Sequence, residues 1–304
     1  MEVIYIKTLV DIGDKELEVW MKGNGRTIII QPGMISPLAE WKALCEDLSR
    51  HARVIIYNRA GCGKSDKGIT KRNRKENAKD LNALIKKLGI SSPIILGHSY
   101  GGLILQQFAQ TYPNVARGFV LVDSTSFDAY KVDEVEIDGE DVNSTEAWIE
   151  KCKTYSGLSK RDLQVEMADW INELKEILPS SSHKEVEEFM SNPSMFESLS
   201  EELEYDLLSR ETNQYKPFPD TFTIVIGRDP KASITEMVES EGLHKSEAED
   251  IENIWQNLIR NQTKLSSNTK YILAEDSGHS VHLEKPEVIK RAVDSILSST
   301  KVNG

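Results

Sequence analysis

The sequence predicts an α/β fold, a mostly parallel sheet with helices on both faces and a helical insertion. Two observations predict the sheet. Short β-branched runs such as Thr27-Ile28-Ile29-Ile30 alternate with stretches whose apolar residues recur at helical spacing. Several of these runs are apolar throughout rather than alternating, as expected of strands buried on both faces. A third observation predicts the insertion: between about 125 and 219 the strand signals vanish.

Val3 to Asp11 and Leu17 to Lys22 read as a hairpin, with turn residues at Gly13-Asp14 and Gly23-Asn24-Gly25. The strand at Thr27–Ile30 runs into a loop, Gln31-Pro32-Gly33-Met34, and then a helix from about Leu38 to Ser49. Arg53 to Tyr57 is the next strand, and a helix from about Arg74 to Leu88 is stopped by Gly89. Pro93-Ile94-Ile95-Leu96 leads into Gly97-His98-Ser99-Tyr100-Gly101 and a helix, and Gly118 to Val122 is a strand ending at Asp123. Within the insertion, Leu163, Met167, Trp170, Leu174 and Leu178 form one helical stripe. Apolar and aromatic residues of this kind argue against a linker. The α/β pattern returns with the strand Thr221–Ile226, which ends before Asp229. A helical stretch follows from Ile234 to Leu265, then the strand Lys270–Leu273 and a helix from Pro286 to Leu297. The expected organisation is a core of 1–124 with 220–304, and a helical unit of 125–219.

Composition narrows the partners. Against 37 Lys+Arg the chain carries 49 Asp+Glu, a formal charge of −12, which repels nucleic acid and anionic membranes. No run approaches the ~18 apolar residues of a membrane span, and Met1–Lys7 does not resemble a secretory signal. The three cysteines, Cys45, Cys62 and Cys152, lack a C-x-x-C pair and suit a reducing cytosol, so the sequons at Asn143 and Asn261 carry no weight. The expectation is a cytoplasmic protein acting on a small molecule, with no cofactor, metal, nucleic acid or membrane partner.

The chemistry centres on Gly97-His98-Ser99-Tyr100-Gly101, a G-x-S-x-G between strand and helix. A turn this tight strains its apex and needs small neighbours two residues to either side. It exposes the serine oxygen at a helix N-terminus, with the Tyr100 N–H next to it. Serine needs a base, and the base needs an acid. Parallel sheets carry their sites past the C-terminal ends of strands. Of the six histidines, His279 lies in the loop after the last strand; His98 adjoins the serine and His282 falls late in the same loop. Asp229, past the strand at 221–226, is the expected acid, with Asp123 as its rival. Met34 N–H is the expected second oxyanion donor, with Gly33 turning that backbone inward. Gly63-Lys64-Ser65 resembles a phosphate-binding loop, but Asn58 stands where that motif has its first glycine.

Ser99 in its pentapeptide, Asp229, and Gly278-His279 followed by Leu283-Glu284-Lys285-Pro286-Glu287 together resemble the α/β-hydrolase superfamily. Tyr57-Asn58-Arg59-Ala60-Gly61-Cys62-Gly63-Lys64-Ser65 is similar to that family's Y-D-R-x-G-x-G-x-S, with asparagine for aspartate. The usual histidine-glycine before the oxyanion loop is Gln31-Pro32-Gly33 here. The resemblance implies an eight-stranded sheet with a cap after strand six and a Ser99–His279–Asp229 triad. It implies a serine hydrolase of the carboxylesterase kind, working through an acyl-enzyme without a cofactor. Trp148, Trp170, Phe189, Met190, Phe196 and Tyr205 in the cap would roof an apolar pocket. Lactone, amide, thioester or carbon–carbon hydrolysis, and a non-enzymatic receptor role, are the alternatives.

Overall fold

A computed structural model describes residues 5–138, 144–208 and 218–299. Val3, Ile4 and Asn143 lie outside these. The strands are β1 (Ile6–Asp11), β2 (Glu16–Lys22), β3 (Thr27–Gln31), β4 (Arg53–Tyr57), β5 (Ile94–His98), β6 (Gly118–Val122), β7 (Phe222–Arg228) and β8 (Thr269–Ala274). They form one eight-stranded sheet in the order β1-β2-β4-β3-β5-β6-β7-β8. β2 runs antiparallel to β1 and β4, and the other pairings are parallel.

The helices of the first half are α1 (Lys42–Leu48), α2 (Arg74–Lys87) and α3 (Tyr100–Thr111). Between β6 and β7 come α4 (Thr145–Ser156), α5 (Lys160–Glu166), α6 (Ala168–Ile177), α7 (His183–Met190) and α8 (Pro193–Glu202), the last running into a π-helical turn over Leu203–Leu208. After β7 come α9 (Pro230–Glu239), α10 (Lys245–Gln262), α11 (Val281–Glu284) and α12 (Pro286–Ser298).

The pleat divides the core. Ile29, Ile55 and Ile95 face α2 and α3, where Leu81, Leu84, Leu103 and Phe108 meet them. Ile28, Ile30, Ile56 and Leu96 face the other way, onto Trp41 and Leu44 of the α1 side and Ile289 and Val293 of α12. Alternate residues on opposite faces, both covered, are what a buried parallel strand requires. Each such side chain stabilises by roughly 1.5–3 kcal/mol relative to exposure.

The helical segment after β6 fits a cap. It has a core of its own, with Ile149, Leu163, Phe189, Met190 and Phe196 buried together. Two expected helices are broken. The stripe from Leu163 to Leu178 is two helices meeting at Met167. The stretch from Ile234 to Leu265 is interrupted around Gly242, which has φ +76°. Leu38–Trp41 is a 3₁₀ turn, so α1 begins four residues late. Among the described residues no helix is long and apolar enough to cross a membrane.

Candidate active site

Ser99 sits between β5 and α3 with φ +53° and ψ −127°, a conformation that costs a side-chain-bearing residue about 1–3 kcal/mol. The small neighbours are required by contact. A Cβ on Gly101 would lie 2.2 Å from the Gln31 carbonyl oxygen, and one on Gly97 would lie 2.7 Å from that of Gly101. Ile35 (φ +46°) and Asp123 (φ +37°) also have positive φ. They follow β3 and β6, so left-handed backbone gathers where three strands end.

His279, in the loop after β8, donates from Nδ1 to the carboxylate of Asp123, with Nδ1 2.6 Å from Oδ2. This corrects the expectation for Asp229. That residue caps α9, accepting from the Lys231 N–H at 2.9 Å, and takes the Asp276 N–H at 3.0 Å. β7 runs on through Gly227 and Arg228 before reaching Asp229. β6 stops at Val122, which pairs with Ile226, so Asp123 lies just past that pair, its own N–H donating to the Ile226 carbonyl.

Asp123 is fully buried. Its Oδ1 accepts from the Trp255 indole N–H at 2.9 Å, and the Arg228 guanidinium lies 3.7 Å from Oδ2. Burial works against its charge, but Arg228, His279 and Trp255 outweigh that and hold the carboxyl below its ordinary range. The His279 side chain remains 38% exposed, open to a cleft.

His98 and His282 are drawn in as well. His98 Nε2 donates to the His279 carbonyl at 2.9 Å, and the two rings lie 4.7 Å apart. His282 stacks on Trp41 at 4.0 Å and meets Glu40 at 3.3 Å. Burial, with His279 nearby, lowers His98 far below the usual imidazole range and His282 to about 3. Burial raises Glu40 to about 8, against the pull of a hydrogen bond from Ser36. The cluster behind His279 is therefore uncharged near neutrality.

The Gly33-Met34 loop lies against the serine. A Cβ on Gly33 would be 3.0 Å from Ser99 Cβ and 3.1 Å from His98 Nδ1. Neither Met34 N–H nor Tyr100 N–H is taken up by an acceptor among the described residues. Two unspent backbone donors thus flank Ser99.

A cleft of about 680 Å³ opens beside His279. Met34, Trp170, Leu174 and Ile177 supply apolar wall, the last three from α6. Glu173, Glu236 and Glu284 supply carboxylates beside the protonated Glu40, and among the described residues no lysine or arginine lines it. Of the expected roof, Trp170 reaches this cleft; Phe189, Met190 and Phe196 are cap core and Tyr205 is exposed.

Beneath the loop lies a charged seam absent from the sequence reading. Arg59 forks onto Glu202 of α8, with Nε–Oε1 at 3.1 Å and Nη2–Oε2 at 3.0 Å. Arg74 meets Asp206 at 2.5 Å, and Asp206 also accepts from the Tyr100 hydroxyl at 2.6 Å. The family-like motif pointed to Arg59. Nothing in the glutamate-rich insertion marked Glu202 or Asp206 as buried. The resemblance to a phosphate-binding loop has a structural content instead: Ser65 Oγ donates to the Asn58 carbonyl and accepts the Glu18 N–H.

A family model described as alpha/beta hydrolase fold matches residues 26–240. The chain is similar to the 2-(acetamidomethylene)succinate hydrolase of Mesorhizobium japonicum, 32% identical over 123 residues, which are 40% of this chain and 44% of that protein. The chain thus matches less than half the length of that relative. It is also similar to the uncharacterized protein YqjL of Bacillus subtilis, 23% identical over 89% of this chain and 83% of the relative. Among solved structures, the enol-lactonase from Burkholderia xenovorans superposes with a TM-score of 0.66 at 16% identity, over 96% of this chain and 100% of that one. At that identity the likeness speaks for the fold alone.

Proposed function

The chain belongs to the alpha/beta hydrolase fold family, and from that premise we propose that it is a serine hydrolase acting on an ester or related acyl bond of a small, partly apolar substrate. Ser99 Oγ attacks the carbonyl carbon. His279 Nε2 takes the serine proton and returns it to the leaving group, giving an acyl-enzyme that water then opens by the same path. Asp123 holds His279 with the proton on Nδ1 and stabilises the imidazolium. Met34 N–H and Tyr100 N–H receive the oxyanion. The observation that carries this reading is the Asp123–His279 hydrogen bond of 2.6 Å, formed beside a serine at φ +53°.

The cleft lining bears on the substrate. Glu173, Glu236 and Glu284, with no lysine or arginine lining the cleft beside them among the described residues, disfavour an anionic acyl group, so a dicarboxylate such as the one named for the Mesorhizobium relative does not suit it. Trp170, Leu174 and Ile177 favour an apolar chain. Three buried free thiols support a reducing, cytoplasmic setting.

The test is hydrolysis of p-nitrophenyl esters of graded acyl length, with the hemisuccinate ester and a lactone alongside, by wild type and Ser99→Ala. The expected result is turnover of neutral acyl groups, at least tenfold less with the hemisuccinate, and a loss of roughly 10³-fold or more in Ser99→Ala. Activity that survives Ser99→Ala overturns the nucleophile. A preference for the hemisuccinate overturns the reading of the cleft.

A further inference from the structure

An oxyanion donor is effective only if its orientation is set before the reaction begins. The Met34 N–H belongs to the same planar peptide unit as the Gly33 carbonyl, and no peptide bond among the described residues is cis. Fixing that carbonyl therefore fixes the N–H, which points the opposite way. Arg59 Nη1 donates to the Gly33 oxygen at 2.7 Å and to the Pro32 oxygen at 3.1 Å. One guanidinium thus holds two successive carbonyls and turns the Met34 N–H away from itself.

The guanidinium is planar, so the direction of Nη1 follows from what grips the rest of the fork. That grip is Glu202, through Nε and Nη2. The pair is almost wholly buried, at 4% and 1% exposure, and Asn77 Nδ2 steadies Glu202 Oε1 at 2.6 Å. Arg59 also lies over the ring of Tyr100, 5.2 Å from its centroid. The tyrosine hydroxyl is held by Asp206, four residues beyond Glu202. The residue carrying each free N–H is therefore tied to the same short piece of the cap.

We propose that Arg59 and Glu202 are positioning residues for the oxyanion site: the cap carboxylate aims the arginine, and the arginine aims the Gly33–Met34 peptide. This rests on the reading of Met34 N–H as an oxyanion donor. The cap end at Glu202 is then part of the machinery rather than only a roof.

The experiment compares wild type, Arg59→Lys, Glu202→Gln and the paired Arg59→Met/Glu202→Met, with Ser99→Ala as control. Replacing both charges by apolar side chains of similar length keeps the seam foldable, because neither partner is left buried alone. Each protein is measured for thermal midpoint, kcat and KM on a nitrophenyl ester, and inhibition by a trifluoromethyl ketone, which forms an oxyanion at the serine. The expected result is a roughly 10- to 100-fold loss of kcat with KM within about twofold, and a parallel loss of ketone affinity. The paired variant should stay slow even where its thermal midpoint matches wild type. A paired variant that is folded, within about threefold of the wild-type kcat and unchanged toward the ketone, overturns the inference and leaves the serine reading intact. Hydrolysis that persists in Ser99→Ala overturns both.

Discussion

Replacing Asp123 by asparagine preserves the shape of the side chain and removes its charge. The amide faces His279 Nδ1 across the 2.6 Å now spanned by a carboxylate. A neutral amide cannot stabilise the imidazolium, and its NH₂ favours the tautomer with the proton on Nε2, the wrong nitrogen for a base. Such an error costs a Ser-His-Asp site about 10⁴-fold in kcat, or about 5 kcal/mol of transition-state stabilisation. Folding suffers less. Arg228 keeps Glu252 as a partner at 2.5 Å, and the Trp255 N–H can still donate to the amide oxygen. The loss in stability should be about 1–3 kcal/mol. Asp229→Ala is the companion. It removes an exposed helix cap with bonds to the Lys231 and Asp276 N–H groups, so it should cost about 1 kcal/mol of stability and leave kcat within about threefold. Ester turnover and urea midpoints on the two variants separate them. A large rate loss in Asp229→Ala with a near-normal Asp123→Asn would refute the assignment of the acid.

Two further perturbations probe the surroundings. Glu40 keeps its proton in the folded state up to about pH 8, whereas the unfolded chain releases it near 4.5, so Glu40 lowers stability as pH rises through that window. His282, lowered from 6.5 to about 3, works in the opposite sense and only below pH 6.5. Between pH 6.5 and 8, wild type should therefore lose roughly 2 kcal/mol relative to Glu40→Gln in urea unfolding, and equal slopes would dismiss the buried neutral carboxyl. Gly33→Ala puts a Cβ 3.0 Å from Ser99 Cβ and 3.1 Å from His98 Nδ1. The shift it forces on the serine should cost about tenfold or more in kcat with little change in thermal midpoint, and unchanged turnover would mean that the loop yields freely.

The Ser99 turn and the His279 loop were legible because each is announced locally, the one by five residues of a tight turn, the other by a glycine after the last strand. The carboxylate that meets His279 was not. Asp123 and Asp229 both follow a strand, and chain order favours neither. What separates them is that β7 outruns β6 by two residues, Gly227 and Arg228, and so carries Asp229 past the histidine to the start of α9. Strand lengths of this kind emerge from pairing, not from the strands' own residues. The eight-stranded sheet and the cap were legible through the family resemblance, whereas Glu202 and Asp206 were invisible. They sit among exposed glutamates of the same helical composition, and their partners on the core, Arg59 and Asn77 for the one and Arg74 and Tyr100 for the other, distinguish them.

Ile35, Ser99 and Asp123 hold left-handed backbone that their side chains resist. At about 1–3 kcal/mol each, against a typical folding reserve of about 5–15 kcal/mol, they make the site a standing load on the whole molecule. Genetic drift then has a narrower margin here than in a relaxed fold of equal size. A substitution far from the cleft that weakens the sheet draws on the same reserve. The stability of the fold and the shape of this site are thus tied together through the backbone of three residues at one end of the sheet.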